Sequence, residues 1–350
     1  VSDKRAKSQG GPSRALIWDI AQRSGVSIAT VSRVLNERPD VAAATRERVL
    51  AHVRELGYVS NRHARSLVSG HTNYIGFTVP RVDHFVEILE GASQIAEEHD
   101  ANLVICPTRH EHSREVTLLE RLRSGGADGA VLILPSESKE ELAQLRAQNY
   151  PFVVIDPRYP LGEEIPAVSV ANMSGGRAAT EHLVEHGHRR IGVITGYPDW
   201  TASIDRLAGF HAVLIAAGLY TTHTPELVSY GDFTLDGGYK AAQRLLALTH
   251  RPTAIFAFND VMAVGAIRAA HEHNLRVPED ISVVGFDDSP FASFVTPALT
   301  TVRQPSYELG RVGIETLYRV MEGQSIEGTR IELSTRLIVR DSTAPCPTIS

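Results

Sequence analysis

LIWDIAQRSGVSIATVSRVL, residues 16–35, reads as two short helices joined by a turn. In the first, Ile17, Ile20 and Ala21 recur at i, i+3 and i+4, Gly25 and Val26 break the run, and Ser27 is placed to cap the second helix. The second helix divides into faces: Val31, Val34 and Leu35 form an apolar stripe, while Ile28, Ala29, Ser32 and Arg33 share another face. A free-standing helix gains nothing from an isoleucine beside an arginine on its open side. A DNA major groove suits it, with Arg33 donating two bonds to a guanine edge, Ile28 and Ala29 touching a thymine methyl, and Ser32 or Thr30 bonding phosphate. This is a helix-turn-helix arrangement. The bland alternative is an αα-hairpin within a small bundle. The residues that follow argue against it: Asn36, Arg38 and Asp40 make a polar loop, and Thr45 to Leu56 reads as a third helix with Val49, Leu50, Val53 and Leu56 inward, stopped by Gly57.

The runs DIAQRSGVSIATVSRVLN and TRERVLAHVRELGYVSNRHARSL resemble, without a gap, the DNA-binding head of the lactose-repressor (LacI/GalR) family of bacterial transcription regulators. The resemblance implies that Ile28, Ala29 and Arg33 read bases and that Ser27, Thr30, Ser32, Asn36 and Thr45 hold phosphates. It also implies that Asn61, Arg62 and Ala64 belong to a hinge helix that orders on operator DNA, with Leu67 as a minor-groove wedge. The residues agree. The segment Asn61 to Leu67 carries a single large apolar side chain, too little to hold a short helix in water. Ordering about eight residues costs on the order of 1–2 kcal/mol each, so a partner must supply phosphates for Arg62 and Arg65 and a site for Leu67. Two positions depart from the family pattern: Leu16 and Ala42 stand where a Ser or Thr cap is usual. Each lost cap costs about 1 kcal/mol unless Ser13 or Asp40 substitutes.

Charge follows the same division. Residues 1–70 hold 12 Lys and Arg against six acids, while the remaining residues hold 23 against 35, although the whole chain is only −6. A basic head on an acidic body fits one surface that attracts phosphate and another that avoids it. With 350 residues, 43% of them hydrophobic, the chain can bury a large core in two or three compact units. Residues 1–14 lack the apolar run of a signal peptide and no stretch approaches a membrane span, so a cytoplasmic protein without a membrane partner is expected. Two cysteines, Cys106 and Cys346, indicate neither a disulfide framework nor a metal site.

From Asn73 onward, apolar runs alternate with helical stretches in two series. Such alternation with continuously apolar strands predicts parallel sheets covered on both faces, hence two α/β lobes with a ligand cleft at the carboxyl ends of their strands. The resemblance extends over this region, on GHRRIGVITG, RLAGF, YGDFT, RPTAIFAFNDVMAVGAIRA, RVPEDISVVGFDDSPFASFVTPALTTVRQP and RLIVRDS. It implies a two-lobed type I periplasmic-binding-protein-like body in which the chain crosses between lobes three times. The expected organisation is a disordered N-terminus (1–14), the helix-turn-helix domain (15–60), the hinge helix (61–70), an effector-binding and dimerisation body (71–341) and a disordered tail (342–350). Within the body, the N-lobe is placed at about 71–168 and 303–323 and the C-lobe at about 169–302 and 324–341.

Candidate effector contacts sit at strand ends. Phe233, after Gly231 and Asp232, matches the aromatic that family members stack on a sugar or purine ring. Asn259 and Asp287 match positions that bond ligand hydroxyls or ring nitrogens, though strand-end Asn and Asp also serve as caps. Asp156 and Arg158 follow a third strand. Three departures point to an altered pocket. The Pro80–Gly91 segment is two residues short and keeps only Phe85, Ile204 replaces an arginine while Arg206 aligns with the structural arginine of RLAGF, and Trp200 offers either a stacking platform or a lid. His182 and His186 at i, i+4 lack the glutamate of a metalloprotease helix, and no nucleophile elbow, phosphate loop or dinucleotide fingerprint occurs. No enzyme and no cofactor are expected. The reading is a homodimeric repressor, released from palindromic operator DNA by a small sugar or oligosaccharide. The alternatives are a purine-type corepressor-dependent repressor and a solute-binding receptor without DNA function.

Overall fold

A computed structural model describes residues 15–35, 38–58, 71–220, 224–324 and 329–347, which fall into two units, up to Thr72 and from Asn73 onward. In the first, α1 (Ile17–Ser24), α2 (Ile28–Leu35) and α3 (Ala43–Glu55) close on a core of Ile20, Ala21, Val31, Val34 and Val49. Gly25 ends α1 in the left-handed conformation, with φ 64°, that a glycine adopts without strain. No side chain caps Leu16 or Ala42; the Leu16 N–H instead donates to the Asp19 carboxylate (2.7 Å), while Asp40 faces Arg33. Leu50, expected on the inner face of α3, is 37% exposed. The helix turns it one position beyond the stripe defined by Val49 and Val53.

The second unit holds two six-stranded sheets. β1 (Tyr74–Val79), β2 (Asn102–Pro107), β3 (Gly129–Ile133), β4 (Phe152–Ile155), β5 (Ala167–Val170) and β11 (Arg330–Leu333) form an all-parallel sheet in the order β11-β5-β4-β3-β1-β2. β6 (Ile191–Thr195), β7 (Val228–Tyr230), β8 (Ala254–Ala257), β9 (Ser282–Asp287), β10 (Thr300–Arg303) and β12 (Arg336–Ile338) form the other, in the order β12-β10-β9-β8-β6-β7, with β12 antiparallel at its edge. The five-residue runs of β3 and β6 are buried throughout, as strands covered on both faces require. Helices α4 (Val86–Glu98), α5 (His112–Arg121), α6 (Lys139–Ala147) and α11 (Ser306–Met321) serve the first sheet. Helices α7 (Asn172–Glu185), α8 (Thr201–Ala216), α9 (Leu235–Leu246) and α10 (Asp260–Glu272) serve the second. α4 and α11 cross at two glycines: a Cβ on Gly310 would lie 1.9 Å from the Ile88 carbonyl oxygen, and one on Gly91 2.0 Å from that of Tyr307.

The chain passes between lobes three times, but two boundaries differ from expectation. The stretch placed in the C-lobe at about 324–341 holds two strands that belong to different sheets. β11 pairs with β5 in the N-lobe sheet (Ile331 opposite Val168), and only β12 joins the C-lobe, opposite β10. Ser334 and Thr335 break the run, and the apolar–polar alternation on either side gives no sign of the change of sheet. Ser169 and Val170 likewise remain in the N-lobe strand.

The tail is the second correction. Residues 342–347 dock on the C-lobe instead of trailing free. The Val283 N–H donates to the Ser342 carbonyl (2.8 Å), the Thr300 N–H to Ser342 Oγ (2.8 Å), the Ala344 N–H to Ser282 Oγ (3.1 Å) and the Cys346 N–H to the His186 carbonyl (2.8 Å). His182 Nε2 lies 2.9 Å from Thr343 Oγ1, and His188 Nε2 lies 3.1 Å from the Ala344 carbonyl. Burial, aided by His186 and His188, pushes His182 down to about 4. Between there and the ordinary histidine value the unfolded chain takes up a proton that the docked tail refuses. This contribution is therefore complete above about pH 6.5 and falls as pH drops toward 4. Protection of the Ala344 and Cys346 amides, taken relative to the intrinsic exchange rate at each pH, is expected to be high at pH 7 and lower at pH 5.

Candidate DNA-reading face and effector cleft

At the start of α2, Ser27 Oγ accepts from the Thr30 N–H (3.1 Å) and lies 3.0 Å from Thr30 Oγ1, capping the helix as its position predicts. Val31 and Val34 turn into the core, which leaves Ile28 (46% exposed), Ala29 and Arg33 on the open face, with Ser32 half-buried between. Arg33 makes one exposed ion pair, 3.7 Å from Asp40. Such a pair contributes little in water, so the guanidinium is transferable to a base edge. Thr45 is half-buried in the first turn of α3. Asn36, Asn61, Arg62, Ala64 and Leu67 lie outside the described residues.

In the body, five of the seven expected effector residues come together at strand ends. Asp156, just after β4, has φ 47°, and its Oδ1 accepts from the Val170 N–H (3.2 Å). Burial pushes its carboxyl up to about 6 while Arg206 pulls the other way. Asp287 closes β9 with φ 122°, where its Oδ1 accepts from Gln304 Nε2 (2.5 Å) and lies 4.0 Å from Arg206 Nη1. Burial also raises this carboxyl, again against Arg206. Asp288 faces elsewhere, held by Arg303 (2.5 Å) and Arg340 (2.6 Å).

The second grouping is aromatic. Trp200, immediately before α8, stacks on Phe233 (5.4 Å between centroids, 28° between planes), and Tyr197 leans on Trp200 at 4.8 Å. The Arg158 guanidinium lies over the Trp200 ring, 4.8 Å from its centroid, in a cation–π contact between the lobes. The Thr201 N–H donates to the Arg158 carbonyl (2.7 Å), fastening the same two segments.

Asn259 takes the capping role that its strand-end position left open, and Phe85 stands apart. Asn259 caps α10, its Oδ1 accepting from the Met262 N–H (2.8 Å) and its Nδ2 donating to the Phe233 carbonyl (3.1 Å). Its amide is occupied in holding Phe233, a residue with φ 63°, in place. Asn259→Ala is expected to lower thermal stability by about 0.5–2 kcal/mol through the lost cap and to weaken ligand binding by releasing Phe233, as a melt and a titration would register. Phe85 precedes α4 and packs on the N-lobe core, away from the aromatic trio. Ile204 is half exposed.

Sequence reasoning passed over Tyr197, Gln304 and the electrostatic part of Arg206. The last is 5% exposed and bonds Asn172 Oδ1 (2.8 Å) and the Phe258 carbonyl, with its guanidinium 3.6 Å from the Phe286 ring centroid. It was legible as structural but not as the one cation shared by Asp156 and Asp287. Two acids from facing lobes around one buried arginine, and a separate stack of aromatic rings, each suit a neutral polyhydroxyl ring: hydroxyls donate to the acids and the apolar ring face covers an indole or phenyl.

Residues 16–61 match the family described as bacterial regulatory proteins, lacI family, and residues 180–343 match the periplasmic-binding-protein-like domain. The chain is 36% identical over 329 residues to the ribose operon repressor of Halalkalibacterium halodurans, covering 93% of this chain and 96% of that one. It superposes on the Lac repressor dimer bound to operator and the anti-inducer ONPF with a TM-score of 0.85, at 30% identity, over 95% of this chain and all of that one. The transcriptional regulator CelR–cellobiose complex aligns with a TM-score of 0.72, at 34% identity, over 94% of this chain and all of that one.

Proposed function

The chain belongs to the lacI family of bacterial regulatory proteins, and from that premise we propose that it represses sugar-utilisation genes by holding a palindromic operator until a small carbohydrate occupies its cleft. The observations that carry the effector half of this reading are the inter-lobe stack of Arg158, Trp200 and Phe233 and the pair of strand-end acids, Asp156 and Asp287, around Arg206. For the DNA half, Ile28, Ala29 and Arg33 would read the major groove, with Ser27, Thr30, Ser32, Asn36 and Thr45 on phosphates. The segment holding Asn61, Arg62, Ala64 and Leu67 would order in the minor groove.

Two copies would read the two half-sites, in the cytoplasm where operator DNA is found. A carbohydrate that bonds acids on both lobes favours their closure. The ensuing shift of the N-lobes would keep the two 61–70 segments from packing together in the minor groove. Only a difference in effector affinity between two body states is needed, typically about 1–3 kcal/mol. Among the described residues no helix is long and apolar enough to cross a membrane, and the relatives are transcription regulators.

Capture of sheared genomic DNA by the purified chain, with and without mono- and disaccharides, tests the proposal. It predicts enriched palindromes that one carbohydrate releases. Enrichment that appears only with a purine would reverse the sign of the switch, and no enriched sequence would sink the DNA-binding reading.

A further inference from the structure

Beside the cleft, at the carboxyl ends of β3 and β4, lies a second cavity of about 390 Å³. This is within the size range of small-molecule sites, about 300–1,000 Å³. One wall is apolar, built by Pro157, Pro160 and Leu161, with Tyr159 at the edge, and His112 and Glu141 pair across the rim at 3.0 Å. Another wall carries Glu137, whose side chain is almost wholly buried (5% exposed) against the Glu115 carboxyl, with which it shares a hydrogen bond. Behind it, Glu115 Oε2 accepts from the Ser136 N–H (3.0 Å) and from its hydroxyl. Arg158 also lines the cavity. It is 7% exposed, its Nη2 lies 3.3 Å from His110 Nδ1, and its Nε has no acceptor.

A buried polar group without a partner costs about 1–3 kcal/mol, and native structures keep such groups where something else satisfies them. Here the lone pairs of one buried carboxyl and a guanidinium N–H line one space opposite an apolar wall. Hydroxyls on an apolar ring face supply that complement, since each hydroxyl both donates and accepts. Burial and the neighbouring Glu115 carboxylate push the Glu137 carboxyl up to about 8, so at neutral pH it keeps its proton, which Glu115 accepts, and presents acceptor lone pairs to the cavity. Arg158 joins the two sites, since the guanidinium that lines this cavity also lies on Trp200, which stacks on Phe233.

We propose that the Glu137–Arg158 cavity is a second ring subsite, so that the effector is an oligosaccharide with one ring in the cleft at Asp287 and Phe233 and the next beyond Trp200 against Glu137. This rests on the carbohydrate reading above. It makes Glu137 the residue that distinguishes chain length, while Asp287 sets binding as such.

The test is calorimetric titration of the full chain with the β-1,4 series glucose, cellobiose and cellotriose and the α-1,4 series glucose, maltose and maltotriose. The proposal predicts that in one series the second or third ring raises affinity at least tenfold. Glu137→Leu should remove most of that gain and leave single-ring affinity unchanged, whereas Asp287→Ala loses both. Leucine fills the space of the acid without a donor or acceptor, and a melt at pH 7 checks that the variant is folded; Glu137→Gln, which matches the protonated acid in shape and bonding, should keep the gain. With Trp18→Phe on the head, Trp200 alone reports, and its emission should shift with the longer saccharide and shift less in the Glu137→Leu background. Equal affinity for one ring and two, or a gain that survives Glu137→Leu with an unchanged emission shift, overturns the subsite and leaves the cleft reading standing. No binding of any member of either series overturns both.

Discussion

Arg33→Ala is expected to reduce operator affinity by about 2–6 kcal/mol, while binding to unrelated DNA changes little. A bidentate arginine–guanine pair carries about 1–3 kcal/mol of discrimination, and two heads on one palindrome apply it twice. The loss falls on specificity because Arg33 is exposed on the open face of α2 and contributes nothing to the core of Ile20, Val31, Val34 and Val49. Its pair with Asp40 is too exposed to hold the helix. Fluorescence anisotropy on the captured operator and on a scrambled duplex, at two salt concentrations, separates the components. The variant should keep a steep salt dependence, which comes from phosphate contacts, and lose the preference between duplexes. An unchanged preference would remove Arg33 from base reading.

Asp287→Ala should produce a repressor that the releasing carbohydrate no longer frees. A hydrogen bond contributes about 0.5–1.5 kcal/mol, so two hydroxyl bonds on this buried carboxyl correspond to a loss of roughly 5- to 150-fold in effector affinity. The substitution also leaves Arg206 without one of its two cleft acids, Asp156 being the other, so some loss of thermal stability accompanies it. Operator affinity without sugar should match that of the native chain. An Asp287→Ala chain released at the native sugar concentration would show that the ligand is held elsewhere.

The sequence made the head legible because each helix has a core stripe of period 3.6 and Gly25 and Gly57 mark their ends. It made the lobes legible because buried parallel strands leave uninterrupted apolar runs. What it concealed was carried by partners distant in the chain. The tail STAPC has no apolar signal, and its docking depends on Ser282, Thr300 and the His182–His188 cluster, which no local pattern connects to it. The assignment of β11 to the other lobe stays hidden because the change of sheet between β11 and β12 is decided by β5 and β10. Of the expected site residues, Asp156 and Asp287 face the same arginine, Arg206, and Arg158, Trp200 and Phe233 stack on one another. Asn259 shows the ambiguity of such positions, since its side chain caps α10 and holds the Phe233 carbonyl. Glu137, within PSESKEE, reads as an ordinary acid near a helix start; only the closure of the β3 and β4 loops buries it.

In the proposed switch, cleft occupancy and operator occupancy oppose one another through two states of the body, and reciprocal linkage puts this to the test. The affinity of the releasing carbohydrate would be measured twice by titration, on the free chain and on the chain saturated with operator. Operator affinity would be measured with and without saturating carbohydrate. Because coupling between two sites is reciprocal, the account predicts that operator weakens sugar binding by the same factor by which sugar weakens operator binding, about 5–150-fold for typical couplings. Sugar affinity unaffected by operator would contradict it.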